Sequence, residues 1–97
     1  MITIDIEILE ILLERYGEDE QTRQAMGECG EFIAEAQNYY RAKKYGHRSE
    51  TLDDMMGEAV DVYYMMLQMR HINPELFDKI AMKKYIKIYE KATRDEK

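Results

Sequence analysis

The sequence predicts an all-α protein, an antiparallel helical bundle of about four helices that assembles as a homo-oligomer. Apolar residues recur at spacings of three and four along most of the chain, the period of a helix with one buried face. One proline and five glycines are all that interrupt the 97 residues. The breaks between periodic segments are short, which sets consecutive helices antiparallel. The length fits one domain over residues 1–97, because single domains run from about 50 to 250 residues. So short a chain buries a small core, and association with further copies is a natural remedy.

The first element is read in "IDIEILEILLERYG", apolar at Ile6, Ile8, Leu9, Leu12, Leu13 and Tyr16. Gly17 is its stop. The alternation "ITIDIEI" leaves a short strand open at the start, and the helix is read from Glu7 onward. A second helix is expected from about Glu20 to Lys44, ending at Gly46, with Ala25, Met26, Cys29, Phe32, Ile33, Ala36 and Tyr40 on one face. The third opens at "SETLDD", where Thr51 and Asp54 have capping-box spacing. It runs to about His71 through Leu52, Met55, Met56, Ala59, Val62, Tyr63, Met66 and Leu67. The fourth opens at "NPEL", with Asn73 as N-cap and Pro74 in the first helical position, and reaches as far as Ala92.

Composition narrows the function. With 45% hydrophobic and 35% charged residues, the balance is globular, not disordered. A net charge of −6 argues against a nucleic-acid polymer as partner, since that needs a basic face. A small anionic substrate stays open if a bound cation reverses the local field. The longest apolar stretch, Val62 to Leu67, is too short to span a bilayer, so no membrane partner is expected. No basic region followed by an apolar run opens the chain, so no secretory signal is expected. The lone Cys29 rules out an intramolecular disulfide and fits a reducing cytoplasm.

The chemistry is carried by two similar segments, "MGECGE" from Met26 and "MGEAVD" from Met56, thirty positions apart. At about 100° per residue from Glu28, Phe32 falls at about 40°, Ala36 at about 80° and Ile33 at about 140°, with Glu31 at about 300° and Glu35 at about 340°. From Glu58, Val62 falls at about 40°, Met66 at about 80° and Tyr63 at about 140°, with Asp61 at about 300° and Asp54 at about 320°. Both helices thus carry carboxylates on the same flank of an apolar stripe. Packed antiparallel with axes about 8–10 Å apart, the two acidic edges border one groove.

A single E-x-x-E is common on solvated helices; two matching pairs on facing helices are less so. Like charges three residues apart disfavour a helix by a few tenths of a kcal/mol, a cost that solvation or a bound cation offsets. Oxygen-only ligands suit Mg²⁺ or Mn²⁺. A ferritin-like di-iron centre would need Glu-x-x-His pairs, yet Lys44 and Gln68 stand three residues before His47 and His71. One cysteine and no histidine pair at ligand spacing disfavour zinc.

"GECGEFIAEAQ" followed by "MGEAVDVYYMML" resembles the E-x-x-E … E-x-x-D signature of the MazG-like nucleoside triphosphate pyrophosphohydrolases, an all-α superfamily. The resemblance runs from about Met26 to Tyr89. Gly27 stands where many members double the first acid. The resemblance implies hydrolysis of (d)NTPs between the α- and β-phosphates to a monophosphate and pyrophosphate, for nucleotide-pool house-cleaning, in a homodimer or homotetramer. By position it implies that Glu28, Glu31, Glu58 and Asp61 hold Mg²⁺ (or Mn²⁺), with Glu31 orienting or deprotonating the attacking water. It also implies phosphate contacts from Lys83, Lys84 and Lys87. Glu35 and Asp54 are reserves for an outer shell. Phosphoryl transfer needs charge neutralisation and an aligned nucleophile, which suits such an acid cluster. Alternatives are a phosphoribosyl-ATP pyrophosphatase-like enzyme, faintly suggested by "EAVDVYY", and a non-catalytic helical interaction module.

The remaining features have plainer readings. Lys79, Lys83, Lys87 and Lys91 at i, i+4 spacing also describe a solvated face. "RAKKYGHR", Arg41 to Arg48, offers either phosphate contacts or compensation of helix dipoles. Met55, Met56, Met65, Met66 and Met69 read as adaptable core or subunit interface; Tyr39, Tyr40, Tyr63 and Tyr64 read as core or interface aromatics, with stacking on a base as the alternative. Cys29 reads as a buried small hydrophobe, His71 as a favourable helix-end residue, and Gly57 as an aid to close helix packing.

Overall fold

The computed structural model describes residues 5–46 and 48–94. The chain forms four helices in the order α1 (Ile6–Tyr16), α2 (Glu18–Lys44), α3 (Arg48–Arg70) and α4 (Pro74–Thr93). No strand occurs among the described residues. Ile2–Ile4 of the "ITIDIEI" alternation lie outside them. From Ile6 the chain is helical, with Asp5 as N-cap: its carboxylate accepts the Glu7 N–H at 3.0 Å. Gly17 ends α1 at φ 87°, a left-handed value that other residues rarely adopt, and its N–H donates to the Leu13 carbonyl at 2.8 Å.

Glu18, Asp19 and Glu20 occupy the first turn of α2, and Arg41, Lys43 and Lys44 the last, each charge matched to the helix dipole. Gly46, at φ 85°, breaks the backbone between α2 and α3. The sequence reading placed the start of α3 at the Thr51 capping box. The helix instead begins at Arg48, because no residue after Gly46 interrupts it, and Thr51 lies inside. His47 is outside the described residues.

Helices α2 and α3 form the principal packed pair, and α1 rests against both. Thr22, early in α2, meets Met69, late in α3, at 3.7 Å, so the pair runs antiparallel. Leu9, Ala25 and Met65, one from each helix, are the buried apolar residues where the three meet. His71 Nδ1 reaches Glu10 Oε1 at 3.1 Å, tying α1 to the end of α3.

Helix α4 differs. Asn73 caps it by accepting the Leu76 N–H at 3.1 Å, with Pro74 in the first turn, as the sequence predicts. A bidentate pair ties it to the end of α3, Arg70 Nε to Asp78 Oδ1 at 2.9 Å and Nη2 to Oδ2 at 2.7 Å. All of its residues are exposed.

Candidate metal centre

The antiparallel register brings the two acidic segments together. Oxygens of Glu28, Glu31 and Glu58 lie within 4.8 Å of one another. Glu28 and Glu58 are half-buried and Glu31 is exposed. One oxygen of Glu28 accepts the Gln24 amide at 3.0 Å. The other, Oε2, is buried without a hydrogen-bond partner, and so is Oε2 of Glu58. An unpartnered buried carboxylate oxygen is costly, and two in one trio is an arrangement that a cation would satisfy.

The electrostatics agree. Partial burial holds the Glu58 carboxyl above its ordinary range, reinforced by the charges of Glu31, Asp61 and Glu28 and by a hydrogen bond with Glu31. Asp61 therefore lies close enough to act on Glu58, although it is exposed and outside the tight trio. All the donors are hard carboxylate oxygens, which fits Mg²⁺ or Mn²⁺ and not a thiophilic metal.

A recess of 240 Å³ opens beside the trio, bounded by Arg23, Gly27, Glu28 and Glu31 among others. A Cβ built on Gly27 would meet nothing within 4 Å, so the absence of a second acid there reflects sequence and not lack of room. Gly57 likewise has open space around its Cβ position, which corrects the expectation that it serves close helix packing. The recess shares Glu20 and Gln24 with a 360 Å³ groove between the three body helices, where Gln21, Gln68 and Met65 are lining residues. Gln21 and Gln68 are 7% and 3% exposed. The Gln68 amide nitrogen meets Met65 sulfur at 3.7 Å, while its carbonyl oxygen has no partner.

The sequence reading missed these glutamines. The same projection that found the acids places Gln24 at about 320° and Gln21 at about 20° from Glu28, and Gln68 at about 280° from Glu58. They extend the acidic flank by one to three turns. Attention to charge alone passed over them.

The basic candidates are not gathered here. Lys83, Lys84 and Lys87 sit on α4, all of whose residues are exposed. Arg41, Lys43 and Lys44 fill the last turn of α2, with Lys44 about 20 Å along the axis from Glu31 at 1.5 Å per residue. Glu35, one turn on from Glu31, is half-buried, and Asp54 is exposed. Cys29 is half-buried, not enclosed, because the neighbouring helices cover only part of the apolar stripe of α2, leaving Ile33 and Tyr40 exposed. Tyr40 and Tyr63 are exposed, so neither is a core aromatic within this chain.

No family model, curated protein or solved structure matches the chain. No helix among the described residues is long and apolar enough to cross a membrane.

Proposed function

We propose that the chain is an all-α hydrolase of phosphoanhydrides, dependent on a divalent cation bound by Glu28, Glu31, Glu58 and Asp61. Within that class we infer a MazG-like nucleoside triphosphate pyrophosphohydrolase that acts as a homo-oligomer. The observation that carries the reading is the pair of buried, unpartnered oxygens on Glu28 and Glu58, contributed by facing helices to one trio.

Bound Mg²⁺ would supply charge neutralisation for the phosphates and their leaving group. The chain's own residues do the rest. Gln24 fixes Glu28 by its 3.0 Å amide hydrogen bond and leaves the second oxygen for the cation. Glu31, the exposed member of the trio, can accept a proton from a water aligned for attack. Water adds at phosphorus, the α–β bridging oxygen leaves with the pyrophosphate, and the water's proton passes to the carboxylate. The groove beyond Gln24, lined by Gln21 and Gln68 among others, offers room for the nucleoside end.

The test is pyrophosphate release from a panel of dNTPs and NTPs with Mg²⁺, alongside thermal unfolding with and without Mg²⁺. Turnover that requires the metal, lost in Asp61→Asn while that variant keeps its helical spectrum, is expected. No turnover on any nucleotide together with no Mg²⁺ shift would leave a non-catalytic helical module.

A further inference from the structure

On the hydrolase reading above, we propose that Arg23 binds the terminal diphosphate of the substrate in the recess over Gly27, and so holds the leaving pyrophosphate beside the carboxylate trio.

The recess needs a cation and has one. Its lining residues are Glu20, Arg23, Gln24, Gly27, Glu28 and Glu31, and Arg23 is the positive charge among them. The α4 lysines and the basic last turn of α2 do not line it. A leaving pyrophosphate carries more negative charge than one divalent cation offsets, so a second positive group beside the trio stabilises it. A guanidinium suits the task, because its planar fork donates two parallel N–H bonds to phosphate oxygens.

Arg23 is free to do this. Asp19 and Glu20 precede it by four and three residues, the spacing of ion pairs on a helix, yet Arg23 forms no ion pair among the described residues. Arg23, Gly27 and Glu31 form one i, i+4 row of α2, with Glu20, Gln24 and Glu28 as the row beside it. Gly27 is exposed, and a Cβ built on it would meet nothing within 4 Å, so the floor between Arg23 and Glu31 is bare backbone. Arg23 and Glu31 stand about 12 Å apart along the axis, far enough for an anion to sit between them. A larger side chain at position 27 would project into that space, and an acid there would also neutralise Arg23 from four residues away.

Size and polarity divide the substrate. At 240 Å³ the recess falls below the span of about 300–1,000 Å³ that takes a whole small ligand, so it holds part of a nucleotide, and its charged lining selects the phosphate part. Across Glu20 and Gln24 lies the 360 Å³ groove with Leu12, Tyr16 and Met65 in its wall, which suits the nucleoside.

Calorimetric titration of the full chain with inorganic pyrophosphate, and with the α,β-imido analogue of each dNTP, both in excess Mg²⁺, tests this beside Mg²⁺-dependent thermal shifts. Arg23→Ala is expected to weaken both kinds of ligand about 10–100-fold, the loss of a charge-assisted bidentate contact, while keeping the wild-type Mg²⁺ shift. Arg23→Lys is expected to recover part of the affinity, since the charge returns without the fork. Gly27→Leu is expected to fill the recess and weaken both while melting no lower than the wild type, because leucine favours a helix interior over glycine. The matching monophosphates are expected to bind all four proteins alike. No diphosphate binding by the wild type, unchanged affinities in Arg23→Ala, or a loss for free pyrophosphate alone would overturn the proposal; a retained Mg²⁺ shift and turnover would then leave the hydrolase reading standing. Diphosphate affinity that depends on Arg23 in a protein with no turnover would instead remove the hydrolase reading and keep the subsite.

Discussion

At the residue scale the trio sets up an opposition between stability and binding, and Glu58 is where it can be measured. Its carboxyl is held above the ordinary 4.5 by partial burial and then by Glu31, Asp61 and Glu28. A folded-state pKa above the unfolded one means that its stabilising contribution is fully present below 4.5 and is lost as pH rises through the higher folded value. In chelator, the melting temperature of the wild type is expected to fall relative to Glu58→Gln as pH rises from about 5 to about 8. Excess Mg²⁺ is expected to recover the wild type and not the variant, because the cation binds the ionised carboxylates. Parallel melting curves for the two proteins across that range would contradict the assignment. Gln68 poses a related trade. Its buried carbonyl oxygen lacks a partner, and replacing such a group with an apolar one of similar shape removes a desolvation cost of about 1 kcal/mol or more. Gln68→Leu is expected to raise the denaturation free energy by about that much while raising KM in the pyrophosphate assay. A variant that is less stable and binds nucleotide normally would show that the amide serves only the core.

At the scale of elements, the helices that end in special backbone chemistry were legible. Gly17, Asn73 and Pro74 announce their boundaries because a left-handed φ, a capping carboxamide and a ring-fixed φ each leave few alternatives. The Thr51 box misled, because capping spacing also occurs inside a helix that nothing has stopped. The acidic flanks were legible through period alone: a carboxylate three or four residues from its neighbour must share its edge. Which apolar faces would be covered was not, since periodicity says that a face is apolar and not what meets it. Ile33 and Tyr40 share the stripe of Ala25, yet only Ala25 is buried. Gly57 gives a stability test at this scale. It lies inside α3 with open space around its Cβ position. Gly57→Ala is expected to stabilise the chain by about 0.5–1 kcal/mol through helix propensity, measured by urea denaturation. A loss of stability there would mean that another copy approaches the glycine backbone closely.

For the whole molecule, folding and assembly cannot be separated if α4 has no support within its own chain. Most helical stability in proteins comes from packing of an amphipathic face, and the Arg70–Asp78 pair that holds α4 has its side chains 31% and 57% exposed. A pair that open adds little to stability; its effect is to aim the helix. The body is also lightly built, with Leu9, Ala25 and Met65 as its buried apolar residues among those described, so it has little core to which α4 could add. If a second copy covers α4, mass action makes the melting temperature rise with protein concentration, and dilution unravels α4 first. Helix α4 contributes 20 residues beside the 11, 27 and 23 of the other helices. Circular dichroism at 222 nm is therefore expected to lose about a quarter of its helical signal on dilution, before the body melts. A signal and a melting temperature that both stay constant over a wide dilution range would mean that α4 is stable without a second copy.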